Sequence, residues 1–189
     1  MARTRILLDS NAYFRLARSI RPLLDEEFGG NTRYCLYVIA DLEKEFRKSR
    51  RLQSKFSWVD DPEYRENRAR RLLISRVEQK AIRQAFDYIF NHARSEGLGT
   101  SSVDMMALAT ASVLEIQVVT DDQEMLKLAG DFNIATLTTL ALMRLMLDTK
   151  RIDMGLVRQI CAYWQFKKDL PAKFREEYLD LFQEEPPPD

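Results

Sequence analysis

The sequence predicts an α/β protein with a central, mainly parallel sheet. Four short apolar runs, residues 6–8, 34–39, 117–120 and 133–137, are rich in β-branched or aromatic residues and too short for stable helices. Stretches with apolar residues at helical spacing lie between them, an alternation that builds parallel strands joined by helical crossovers. Acids also recur at the edges of apolar segments: Asp9 after Leu7-Leu8, Glu43 after Val38-Ile39, Asp104 at the head of a Met- and Ala-rich run, and Asp121-Asp122 after Val118-Val119-Thr120. Open parallel sheets bind ligands outside the carboxyl ends of their strands, so such acids can converge.

Each element follows from local pattern. The first run leads into a helix over 11–24, with Tyr13, Phe14, Leu16, Ala17 and Ile20 at helical spacing. The second leads into a helix over 41–50 with Leu42 and Phe46 on one face. Asp60-Asp61-Pro62 marks another start, with Pro at an early position. A helix over 63–92 would then bury a stripe of Leu72, Leu73, Val77, Ile82, Phe86 and Ile89. Residues 97–102 form a Gly- and Ser-rich loop with candidate N-caps, followed by a helix over 102–114. A helix over 122–129 opens on acids, as the dipole favours, with Gly130 as its C-cap. Helices over 137–147, 153–166 and 171–182 complete the series. Glu184-Glu185-Pro186-Pro187-Pro188-Asp189 reads as a disordered tail. The expected organisation is a domain over 1–150 with a basic helical insert at about 47–94, a helical extension over 151–183, and the tail over 184–189.

Composition narrows the chemistry. Lys and Arg, 29 together, balance 29 Asp and Glu, so any nucleic-acid surface must be a local patch. Cys35 and Cys161, far apart, make no disulfide framework, and a reducing cytoplasm is expected. The stretch before Asp9 is too short for a signal peptide, and no apolar run approaches the roughly 18 residues of a membrane span. His92 is the only histidine, which excludes a His-based zinc site and a Ser-His-Asp triad. Neither G-x-x-x-x-G-K-[ST] nor G-x-G-x-x-G occurs, so nucleotide cofactors lack support.

Each acid has a plain reading of its own. Asp9 could simply cap the helix that follows it. Glu43, with Asp41 and Glu45 nearby, could belong to a solvated helix face. Asp121 and Asp122 could be helix-start acids. Asp104 is harder to dismiss, because its neighbours Val103, Met105, Met106, Ala107 and Leu108 are apolar and an acid there needs a partner. Together the set points to a carboxylate cluster suited to Mg²⁺ or Mn²⁺, and so to a metal-dependent nuclease.

Four segments carry a resemblance. Leu7-Leu8-Asp9-Ser10-Asn11, Val38-Ile39-Ala40-Asp41-Leu42-Glu43, Ser102-Val103-Asp104 with Ala107, Ala109 and Ala111, and Val118-Val119-Thr120-Asp121-Asp122 resemble, in order, the four acidic motifs of PIN-domain proteins. This family includes bacterial toxins of the VapC type and other RNA-cleaving proteins. The resemblance covers residue 5 to about residue 137. It implies a PIN-like three-layer α/β/α fold with the helical extension appended. It further implies an Mg²⁺- or Mn²⁺-dependent endoribonuclease leaving a 5′-phosphate. Asp9, Glu43 and Asp104 would hold the ion, with Asp122 completing the site directly or through water. Asn11, Thr120 and Asp121 would stand behind these ligands or orient phosphate. Glu43 is preferred to Glu45 by its spacing from the strand, and Asp122 to Asp121 because the family places an acid two residues after Thr. The family also implies the toxin role with an antitoxin partner, and a homodimer through the Leu and Met surface of 137–147. The alternatives are a non-catalytic PIN-like scaffold binding RNA or a protein, and a receiver-like regulatory domain. The latter is weakened because the third acid opens a helix and no Lys follows a late strand.

RNA contacts fall on basic runs. Arg47, Lys48, Arg50 and Arg51 form one, and Arg68 and Arg71, with Arg65 and Arg70, form another. Lys55, Phe56 and Trp58 lie between them, and aromatics among cations suit single-strand stacking. A solvated helix face balanced by Asp60, Asp61, Glu63 and Glu66 is the equal alternative.

Overall fold

In the computed structural model, which describes residues 3–188, four parallel strands form one sheet in the order β2-β1-β3-β4. The strands are β1 (Arg3–Leu8), β2 (Arg33–Tyr37), β3 (Gln117–Val119) and β4 (Thr136–Leu137). The crossover from β1 to β2 carries α1 (Ser10–Leu16). The long crossover from β2 to β3 carries α2 (Asp41–Lys48), α3 (Arg50–Lys55), a short 3-10 turn (Ser57–Asp60), α4 (Pro62–Ala69), α5 (Arg76–Ser95) and α6 (Ser102–Leu114). Helix α7 (Gln123–Asp131) joins β3 to β4, and α8 (Thr139–Asp148), α9 (Met154–Phe166) and α10 (Phe174–Phe182) follow.

Side chains alternate across a strand, and here both faces are buried. Ile6, Leu8, Leu36, Val38 and Val119 point into one core with Ala12, Phe14 and Leu16 of α1, Met143 of α8, Trp164 of α9 and Tyr178 of α10. Leu7, Cys35, Tyr37 and Val118 point into the other, with Ile82 and Ile89 of α5, Leu108 of α6 and Met125 and Leu128 of α7. The result is three layers, helix–sheet–helix, as the sequence predicts. Among the described residues no helix is long and apolar enough to cross a membrane.

Helix ends depart from expectation in four instructive places. The first helix ends at Leu16, and residues 17–25 run through turns with Ile20, Leu23 and Leu24 still buried. Pro22 disfavours helical backbone at the residue before it. The expected helix over 41–50 stops at Ser49, whose hydroxyl instead accepts from Leu52 N–H and caps α3. The expected helix over 63–92 is two helices, α4 and α5, so its stripe does not exist as one face. Leu73 and Val77 are 91% and 80% exposed. Ser75 and Glu78 form a reciprocal capping box that starts α5 afresh. Gly130 lies inside α7, which ends at Asp131. Glu184, at the start of the expected tail, accepts from Arg158 and from Tyr178 Oη, while Asp189 is outside the described residues.

The split helix makes a sharp prediction for chemical denaturation. Val77→Asp should change stability by no more than about 0.5 kcal/mol, as for an ordinary surface site. Ser75→Ala should cost about 1 kcal/mol by removing the cap. The reverse order would restore the single buried stripe.

Candidate active site

Strand β1 hydrogen-bonds to β2 on one edge and to β3 on the other, so the chain order reverses at its carboxyl end. Asp9 occupies that point. Its N–H donates to Val119 carbonyl at 3.0 Å, extending the pairing of β1 with β3. Its backbone is extended, and Oδ1 accepts from Ala12 N–H at 2.6 Å, so it also caps α1. Asp9 is only 3% exposed. Burial raises its pKa to about 7; hydrogen bonds from Thr120 and Ala12 oppose the rise, and the charges of Asp104 and Asp121 add to it.

Asp104 approaches from α6. Ser101 Oγ donates to its Oδ2 at 2.7 Å and accepts from its N–H at 3.1 Å, which fixes the carboxylate at the helix start. Burial raises its pKa, and Glu45 and Asp122 raise it further despite the Ser101 hydroxyl. Glu45 reaches over from α2, where Ser10 Oγ donates to its Oε2 at 2.5 Å. Asp122 caps α7 by accepting from Met125 N–H at 2.8 Å, and its own N–H donates to Thr120 Oγ1 at 3.1 Å. Thr120, fully buried, thereby ties Asp122's backbone to Asp9's carboxylate. Asp9, Glu45, Asp104 and Asp122, from four separate elements, are thus electrostatic neighbours.

Glu43 is not among them. Its carboxylate faces Arg68, 3.8 Å from Nε. Positions two apart on a helix point about 200° apart, so Glu43 and Glu45 cannot both face the site. The motif spacing favours Glu43, whereas the structure turns Glu45, and not Glu43, toward Asp104. Asp121 is held elsewhere: Arg15 donates to it at 2.5 Å, as do Thr139 N–H at 2.9 Å and Thr139 Oγ1 at 2.5 Å. It acts on Asp9 only through its charge. Asn11 is exposed on the first turn of α1.

The expected RNA contacts divide. Arg47, Lys48, Arg50, Arg51 and Arg71 are exposed. Arg68 is 5% exposed and donates to Tyr13 Oη at 2.9 Å and Val59 carbonyl at 2.8 Å, so it is an internal strut and not a phosphate contact. Phe56 and Trp58 are half-buried: Phe56 stacks on Phe14 and Trp58 lies against Tyr64. Arg15, Ser10 and Ser101 were not singled out. Of these, Ser101-x-x-Asp104 was readable as a cap-and-acid pattern.

The donor set is all oxygen and fits a hard divalent ion in kind. Buried Asp9 has a hydroxyl and an N–H for partners and like charges around it, an arrangement a cation would relieve. Yet among the described residues no three acidic, His or Cys side chains are gathered as a ready metal-binding group. A magnesium ion retaining several waters, bound by one or two carboxylates, is the form compatible with both facts.

Comparison with known proteins gives little beyond this geometry. No family model matches the chain, and no curated protein matches it. Among solved structures the chain is similar to FitAcB from Neisseria gonorrhoeae, with 17% identity over 71% of this chain and 98% of that one and a TM-score of 0.46.

Two predictions follow from burial at the site. A carboxyl whose pKa is higher folded than unfolded binds its proton more tightly folded, so the fold loses stability as pH rises from the ordinary 3.8 through about 7. Stability of EDTA-treated protein should fall by on the order of 2 kcal/mol between about pH 5.5 and about pH 8, and Asp9→Asn should flatten that profile. A profile equally steep in the variant would remove Asp9 as its source. Arg68→Ala should lower stability by about 2–4 kcal/mol through its lost internal bonds, whereas Arg51→Ala should leave the melting temperature unchanged.

Proposed function

We propose that this chain is a PIN-like endoribonuclease that works with Mg²⁺ or Mn²⁺. The observation that carries the reading is the meeting of Asp9, Glu45, Asp104 and Asp122 at the switch point of a parallel sheet, with no Lys or Arg among the described residues bound to any of them. The four sequence motifs that resemble the PIN family support it.

Asp9 and Asp104 are the acids that would hold the ion, with Glu45 and Asp122 at its rim through water. When bound, the ion supplies positive charge against a phosphodiester and a water of lowered pKa for in-line attack. The chain's own residues do the rest. Thr120 Oγ1 donates to Asp9 while accepting from Asp122 N–H, which holds two acids in register. Ser101 and Ser10 orient Asp104 and Glu45. At neutral pH without a cation, burial keeps a proton on a large share of the Asp9 carboxyl, and binding a cation would release it. The exposed cations Arg47, Lys48, Arg50, Arg51 and Arg71 would contact the RNA backbone.

In this reading the biological setting is the toxin of a toxin–antitoxin pair, with an antitoxin protein and a second copy of the chain as partners. A non-catalytic scaffold is favoured by one observation, the lack of a ready three-acid group among the described residues.

Cleavage of a mixed RNA pool with Mn²⁺ and with EDTA tests the enzyme directly. Asp104→Asn and Glu45→Gln should each cut activity by at least about 100-fold, and Glu43→Gln by far less. Equal losses at Glu43 and Glu45 would contradict the assignment. Folded protein that neither cuts RNA nor binds Mn²⁺ by calorimetry would be a scaffold. Growth arrest on expression, relieved by Asp104→Asn, is the expected outcome for a toxin.

A further inference from the structure

A cavity of about 230 Å³ lies between α1, the segment from Ser54 to Trp58, and α9. Its lining combines aromatic rings with cations. Tyr163 on α9, 39% exposed, has the Arg18 guanidinium 6.0 Å from its ring centroid and Lys167 Nζ at 5.7 Å. Lys55 Nζ stands 5.0 Å from the Phe56 ring, and Trp58 contributes a further edge. Asp169 is the one acid among the lining residues, and it is already paired with Arg15 at 3.4 Å and Lys55 at 2.8 Å. Arg18 and Lys167 have no carboxylate partner among the described residues. Both positive charges therefore rest on exposed aromatic surface, with Arg18 also donating to Tyr163 Oη at 3.3 Å.

The cavity is coupled to the acids through α1. Asp9 caps that helix, Arg15 follows six residues later, roughly 9 Å along the axis, and Arg18 lies just past the helix end. Arg15 bridges Asp121, the neighbour of Asp122, to Asp169 in the cavity wall. That separation is one to two nucleotides of extended single strand, and stacked aromatics beside cations are the chemistry that holds unpaired bases.

We propose that this cavity is a subsite for one nucleotide of single-stranded RNA, its base stacked against Tyr163 and its phosphate between Arg18 and Lys167. The subsite rests on the ribonuclease reading for its purpose, but its binding chemistry needs no metal. It selects unpaired over duplex RNA, because a paired base cannot enter a cavity of this size.

The test is fluorescence anisotropy of a labelled six-nucleotide RNA in EDTA, with wild type, Tyr163→Ala, Tyr163→Phe and the double variant Arg18→Ala with Lys167→Ala. Tyr163→Ala should weaken binding about tenfold and Tyr163→Phe should restore it. The double variant should weaken binding and reduce the slope of log affinity against log salt by roughly 1.4. All three side chains in question are on the surface, and unchanged melting temperatures establish that the variants fold. Wild-type affinity and salt slope in every variant would overturn the subsite. Cleavage assays separate the two ideas: loss of nuclease activity everywhere with these binding defects intact sinks the enzyme alone, whereas normal cleavage with normal binding in the variants sinks the subsite alone.

Discussion

Strand β1 is hydrogen-bonded on both edges and covered on both faces, so the residue that follows it emerges from between two buried cores. That residue is Asp9. Its carboxylate cannot swing to solvent, because it caps α1 and its backbone continues the pairing with β3. A charge fixed in such a place is unfavourable unless a cation or a proton meets it. The groups around it bear on that cost: Thr120 offers a hydroxyl, Asp104 and Asp121 add negative charge, and Arg15 is turned to Asp121.

The contrast between Asp121 and Asp122 shows how one dipeptide serves two purposes. Asp121 is neutralised by Arg15 and Thr139 and fastens the end of β3 to the head of α8. Asp122, one residue later, caps α7 and leaves the rest of its carboxylate toward Asp104. A similar division separates Glu43 from Glu45 on α2. Helical geometry sends one to the buried arginine and the other to the cluster. Structural ion pairs and unpaired acids are thus segregated within a few ångströms, and only the second kind has chemistry to offer.

The strands, their parallel pairing and the strand-edge positions of Asp9, Asp104 and Asp122 were legible in the sequence, because short β-branched runs and the acids beside them are local signals. The choice between Glu43 and Glu45 was not, since it depends on which way α2 rolls against the sheet. Arg68 looked like one more cation in a basic run; only the fold shows that Tyr13 and Val59 enclose it. The split between α4 and α5 could have been found, for Ser75-x-x-Glu78 announces a new helix start. The stripe through Leu73 and Val77 outweighed it because periodicity across a break mimics periodicity along a helix.

Helices α9 and α10 stand beyond the last strand, yet Val157, Ile160, Trp164, Tyr178 and Phe182 belong to the same core as Ile6 and Leu8. Trp164 Nε1 donates to the Arg15 carbonyl at 3.3 Å, and Glu177 accepts from Thr138 at the head of α8. These helices form part of the layer against which α1 is held. A nick in the turn after α8 would therefore not release an intact half carrying the acid cluster. The two pieces would stay associated or unfold together, because α9 and α10 help to set the position of α1 and so of Asp9.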